Sequence, residues 1–289
     1  MERARETARY AFDTPEKVIY FQKGKSLITS PDATYRTEIE RIINDKKIAY
    51  FFRPIYSTEG ARVIGYLSKQ VPTDTYFETM DEVKNYAARS GDAESLFSTL
   101  FRRTLPLFIA QRSDEGQLLF FPVRVDDLSF MMRIVSKSMK AKETKIVFLF
   151  NEADLRDHIN FASPETFIGE LTRIKAKGHE VGLLINKSEL GLPELIYSGF
   201  DRFACSFALQ GASPAEIDGK IRVLLHALPE RLLRYHKPII ATDIESWTAI
   251  GVIVNSGISL LSSELIGKFD EMIEPLSPKI IKKLKDASR

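Results

Sequence analysis

From Lys47 onward, short runs of β-branched and aromatic residues alternate with amphipathic helical stretches, and this alternation limits the architectures open to the chain. IAYFFRPIY (from Ile48) and VIGYLS (from Val63) come first. LLFFPV (Leu118), KIVFLF (Lys145), EVGLLI (Glu180), RFACSF (Arg202), PIIAT (Pro238) and ISLL (Ile258) follow. Strand and helix in turn argue for a parallel α/β sheet with crossover helices. Eight strands with helices between most of them match the requirements of a (β/α)8 TIM-like barrel, with an open doubly wound sheet as the competing arrangement. In either case VIGYLS is the second strand, and simple alternation puts Val63, Gly65 and Leu67 on one side and Ile64 and Tyr66 on the other. Leu67 is then expected to face the barrel mouth.

Helix starts support the count. Ser163-Pro164 and Ser213-Pro214 each place a capping hydroxyl before a proline at the first helical position, and Glu216 completes a capping box on Ser213. SPKIIKKLKDASR, from Ser277, reads as a terminal helix with Ile280, Ile281 and Leu284 on one face. Residues 1–33 differ from the rest: ARETARYAFDTPEKVIYFQKGKSL reads as one helix and one strand, followed by a polar linker, TSPDAT. These are too few elements for a core of their own.

Composition excludes several classes of function. With 41 Lys+Arg against 39 Asp+Glu, the net charge of +2 provides no global field for nucleic acid or anionic membrane. The longest apolar run, from Trp247, is interrupted by Asn255, Ser256 and Gly257 and falls short of a bilayer core of about 30 Å. Cys205 is the single cysteine, in a run that reads as a buried strand, so a core thiol in a reducing compartment is expected. His158, His179, His226 and His236 are too far apart in sequence for a zinc-ligand pattern. Asp126, Asp127, Glu152, Asp243 and Glu245 lie near strand ends. They are read as helix-capping acids in preference to a new acidic site.

The order of motifs resembles the EAL family, barrel phosphodiesterases that hydrolyse cyclic di-GMP with two divalent metal ions. The resemblance is carried by RPI at Arg53, Gly60, Gly65-Tyr66, FPVRVDDL, KIVFLFNEADL and PIIATDIES, and covers residues from about 35 to 275. It implies an EAL-type barrel over residues 34–289. ARYAFDTPEKVIYFQKG is similar to the closing helix and strand of a GGDEF domain, so residues 1–33 are expected to be the remnant of such a domain plus a linker, at the C-terminal end of a GGDEF-EAL type signalling protein.

Carried over position by position, the family's functional residues fall on other chemistry. Its motif glutamate falls on Leu67, the following Ala-Leu on Ser68 and Lys69, and its nucleotide-contacting arginine on Val71. The metal asparagine falls on Pro122 and the next metal glutamate on Leu149. The paired aspartates fall on Leu183 and Leu184, and their lysine partner on Ala204, with Ser206 in place of the aspartate after it. The first glutamate of A-E-G-x-E falls on Thr242, and the late glutamine on Ser262. Only Glu152 and Glu245 match, as loop and strand supports. Leucine and proline can neither coordinate a hard cation nor polarise water.

The resemblance thus implies an inactive EAL-like domain that serves as a regulatory or protein-interaction module in bacterial cyclic di-GMP-related signalling, with no cofactor. A non-hydrolysing cyclic di-GMP receptor is the first alternative. A phosphodiesterase with relocated or residual activity is the second. A protein partner or homodimer contact is expected through Ile185–Glu194, with Leu192 as a contact, because active members associate near the corresponding segment. Neither nucleic acid nor membrane insertion is expected, and the compartment is expected to be the cytoplasm.

Overall fold

The computed structural model describes residues 31–159, 163–186, 191–208, 216, 219–221, 223, 225 and 232–287. Its centre is a closed barrel of eight strands in sequence order: β1 (Ile48–Ser57), β2 (Arg62–Pro72), β3 (Leu118–Val123), β4 (Ile146–Asn151), β5 (Glu180–Ile185), β6 (Arg202–Ser206), β7 (Ile239–Thr242) and β8 (Leu260–Ser262). Every run singled out in the sequence supplies one strand.

One departure from an all-parallel sheet follows from connection length. Only residues 58–61 join β1 to β2, far fewer than the dozen or so that a parallel crossover needs. The two strands therefore form a hairpin, and β1 is antiparallel to both β2 and β8, while the pairs from β2 to β8 are parallel.

The hairpin also breaks the expected alternation. Its register passes from Ile55 opposite Gly65 to Tyr56 opposite Val63, leaving Ile64 as the extra residue of a bulge. Ile64 consequently packs on the barrel interior, whereas Val63 packs on the helix side. Leu67 faces the interior as alternation predicts. Gly65 is required where β3 begins, because a Cβ there would lie 2.4 Å from the Leu118 carbonyl oxygen.

Two apolar layers hold the barrel. Ile55, Leu67, Leu118, Phe120, Val147, Leu149, Ala204, Ile240 and Leu260 fill its interior. Alternate residues on the same strands, among them Phe121, Phe148 and Phe150, face outward against helices that contribute Phe97, Phe101 and Phe167. Each such fully buried ring contributes roughly 1.5–3 kcal/mol of transfer free energy.

Ser163 caps the helix Pro164–Lys175 by accepting from the Thr166 amide at 3.3 Å, as the sequence indicates. The helix Pro278–Ala287 buries Leu284, with Ile280 packed on the core. Residues 31–34, read as part of a linker, form the first turn of the helix Pro31–Asp45. Residues 1–30 and the start at Ser213 lie outside the described residues. Among the described residues no helix is long and apolar enough to cross a membrane.

Candidate functional site at the barrel mouth

The C-terminal ends of β2–β8 and the first half of β1 converge at one end of the barrel, the face where barrels of this kind carry their chemistry. Leu67 and Leu149 belong to the interior cluster there, with the half-buried Leu184 packed against the same cluster and Pro122 paired in register with Leu149. Ala204, Thr242 and Ser262 are buried. Leu183 is not part of this group: it is fully buried in the helix-side layer with Val181 and Ile185. Successive strand residues point to opposite faces, so Leu183 and Leu184 cannot both replace groups facing the mouth.

The polar centre of the mouth is Arg53, whose side chain is only 8% exposed although it lies on β1 among apolar residues. Its Nε donates to Ser262 Oγ at 3.1 Å and its Nη2 to Asp243 Oδ1 at 3.2 Å. Ser206 Oγ donates to Asp243 Oδ2 at 3.0 Å, and the Thr242 hydroxyl lies 3.1 Å from the same oxygen. Asp243 adopts a left-handed φ of 56°, a conformation that aspartate tolerates better than most residues. Sequence reading assigns this carboxylate to helix capping; the structure turns it into the mouth as the counter-ion of Arg53.

A strap crosses this arrangement. After β8 the chain returns along β1, with Phe52 N donating to Asp270 O at 2.8 Å and Asp270 N to Phe52 O at 3.1 Å. The strap places the Phe269 ring 4.5 Å from the Arg53 guanidinium and 5.4 Å from Lys69 Nζ. Sequence reasoning missed Arg53, Lys69 and Phe269 as a group. The one local sign was a charge in the middle of an apolar strand.

The other sequence candidates are dispersed. Glu152 is 2% exposed, and its Oε1 accepts from Tyr197 Oη at 2.6 Å and from Gly191 N at 3.1 Å, beside Arg156. The burial of Tyr197 and the adjacent Glu152 push its phenol well above the ordinary range. Glu152 thus braces the segment after β5, while Glu245 is exposed after β7. Asp127 accepts from the Arg124 amide at 2.8 Å, a capping bond as expected, and Asp126 lies beside Arg124. Val71 is half-buried near the end of β2, and Ser68 Oγ donates to the Phe120 carbonyl at 2.9 Å.

His179 is buried with its ring edge-on to Phe148, and His236 is an exposed turn residue with positive φ. The His158 side chain and His226 lie outside the described residues. Cys205 is a free, fully buried thiol whose pKa burial raises to about 12, in agreement with a core role. In the segment read as a dimer contact, Lys187–Leu190 are outside the described residues. Leu192 is buried within its own chain and cannot serve as an exposed contact, whereas Leu195 on the helix Glu194–Ser198 is 47% exposed.

Divalent cations take several anionic or neutral oxygen ligands. At the mouth Asp243 is already engaged by Arg53, and among the described residues no three His, Cys, Asp or Glu side chains gather into a metal-holding group. The described side chains at the mouth do not fit a pair of divalent ions.

No protein-family model matches the sequence, and no curated protein matches it. Solved structures do. The Bacillus subtilis YkuI protein, which has an EAL domain and was solved with c-di-GMP and calcium, aligns with a TM-score of 0.62 and 15% identity over 86% of this chain and 61% of its own. The FimX EAL domain from Pseudomonas aeruginosa, bound to c-di-GMP, aligns at 0.61 and 12% over 83% and 98%. The GGDEF-EAL portion of Vibrio cholerae LapD aligns at 0.60 and 11% over 83% and 58%. The chain therefore spans about three fifths of the YkuI and LapD chains. What is common to all of them at these identities is architecture: the chain has the barrel fold of EAL domains.

Proposed function

We propose that residues 34–289 act as a catalytically inactive EAL-like barrel, a regulatory or protein-interaction module in bacterial cyclic di-GMP-related signalling in the cytoplasm. In this reading residues 1–33 are the remnant of an upstream GGDEF-like domain and its linker. The observation that carries the proposal is the content of the mouth. Leu67, Leu149 and Leu184 occupy its apolar wall, and the mouth carboxylate Asp243 is neutralised by Arg53. Metal-assisted hydrolysis needs oxygen ligands and an activated water, and these side chains supply neither. The test is incubation with cyclic di-GMP and Mg2+ or Mn2+. No turnover above a heat-killed control is expected, and clear turnover overturns the proposal in favour of relocated or residual phosphodiesterase activity.

A second reading, a receptor that holds cyclic di-GMP without cleaving it, draws support from Arg53, Lys69 and Phe269, because two cations beside an aromatic ring suit an anionic nucleotide. Calorimetric titration with and without Mg2+ separates the two. Saturable binding lost in Lys69→Ala selects the receptor; no heat selects the interaction module. For that module Leu195 is the contact to test in place of Leu192. Light scattering is expected to find a dimer that Leu195→Asp dissociates, and a monomeric wild type removes this surface from consideration.

A further inference from the structure

Among the described residues nothing closes the barrel end opposite the mouth. A cavity of about 590 Å³ lies there, a size typical of small-molecule sites. Its floor includes Ile64, Leu118 and Leu260, side chains of the interior layer, so the cavity reaches the bottom of the barrel core. The bulge that turns Ile64 inward helps to build this floor.

The wall is cationic, and strand starts bring the charges together. Arg62 opens β2, Lys145 immediately precedes β4, Arg202 opens β6 and Lys237 lies just before β7; all four line the cavity, with Glu59 and Asp114 as the acids among the described residues. Glu180, the first residue of β5, pairs with both Arg202 and Lys145. Burial acts to raise its carboxyl, but the bonds to those two cations prevail and hold it below the usual range. Lys145 and Arg202 are thereby fixed and partly neutralised. Arg62 and Lys237 make no ion pair or side-chain hydrogen bond among the described residues.

Among the described residues no aromatic ring lines the cavity, and the apolar lining is aliphatic. A flat base would find nothing to stack on, whereas a chain of methylenes would find Ile64, Leu118, Leu260 and Ile258. From this geometry we propose a binding site for a small organic anion with an aliphatic body, its head between Arg62 and Lys237 and its body on the floor of the barrel. The site is separate from the mouth, and its failure would leave the proposed function untouched.

The probes are hexanoate and hexyl phosphate, which distinguish a carboxylate from a phosphate head, with inorganic phosphate and hexanol as the isolated halves. Calorimetry on the full chain is expected to show saturable binding of at least one of the two anions at or below about 1 mM. In Arg62→Gln/Lys237→Gln that affinity should fall by about tenfold or more with the melting temperature retained. Ser259→Trp keeps both cations and fills the cavity lined by Ser259; it should abolish binding even if the double variant folds poorly. Absence of binding by both anions up to about 10 mM overturns the proposal, as does unchanged affinity in the variants. Inorganic phosphate binding as tightly as hexyl phosphate removes the aliphatic body from the assignment and overturns it as well.

Discussion

Glu152 Oε1 and Tyr197 Oη lie 2.6 Å apart in a buried pair that also takes the Gly191 amide, and the Tyr197 oxygen in turn accepts from the Leu192 amide at 3.2 Å. One carboxylate therefore ties the end of β4 to the segment leading into the helix Glu194–Ser198. Removing one member of such a network leaves the others buried without partners.

Tyr197→Phe is expected to destabilise the fold by about 1–3 kcal/mol in urea denaturation, because Glu152 loses a donor and the Leu192 amide its acceptor. Gly191→Ala should cost less, since the new Cβ would meet only the flexible guanidinium end of Arg156, at 2.6 Å, which can swing aside and loosen its hold on Glu152. Amide exchange at Gly191 and Leu192 should accelerate in both. Unchanged stability and exchange would show that the segment is held by other contacts.

Arg53 and Asp243 form an unequal pair: the arginine side chain is 8% exposed and the aspartate 42%. Asp243→Asn strands a buried cation and is expected to destabilise more than an exposed ion pair would, while the double variant with Arg53→Met recovers part of the loss. A double-mutant cycle should return a coupling of about 1–2 kcal/mol, below that of a fully buried pair because Asp243 reaches solvent. Additive single-variant effects would remove the pair from the account of the mouth.

Gly267 is where the strap presses on β1, and an added Cβ would lie 2.6 Å from Pro54 Cγ. Gly267→Ala should lower stability by roughly 1–3 kcal/mol through overpacking. The amides of Phe52 and Asp270, which bond across this contact, should exchange faster. Retained protection at both would mean that the strap is anchored elsewhere.

Burial lowers the pKa of His179, whose buried Nδ1 has no hydrogen-bond partner among the described residues. The folded state thus favours the neutral ring. The stabilisation is complete above the unfolded histidine value of about 6.5 and is lost as pH falls from there through the lower folded value. The wild type should lose melting temperature between about pH 7.5 and 5.5 with a steeper slope than His179→Phe. Identical slopes would clear His179 of any part in acid sensitivity.

Much of the barrel is legible in the chain because its signals are local. A strand such as LLFFPV carries its own β-propensity, and Ser163-Pro164 carries its own helix start. The inward placement of Leu67 follows from the pleat, and the buried thiol of Cys205 from its apolar run. Even the antiparallel first strand is implicit in the four-residue connection after Ser57, which is too short to cross the sheet.

Features that need a partner are not legible in the same way. The bulge at Ile64 depends on how β2 meets both β1 and β3, so period-two alternation alone assigns Ile64 and Val63 to the wrong faces. The choice between Leu183 and Leu184 depends on which of two equally apolar faces turns toward the helices. Arg53 and Asp243 are 190 residues apart and meet only when β1 closes the barrel against β8; the same closure gathers Arg62, Lys145, Arg202 and Lys237 around one cavity. Periodicity along the chain determined the strands and their apolar character. Barrel closure decided which charges face one another, because electrostatic and hydrogen-bonding partners are chosen by distance in space and leave no period in the sequence.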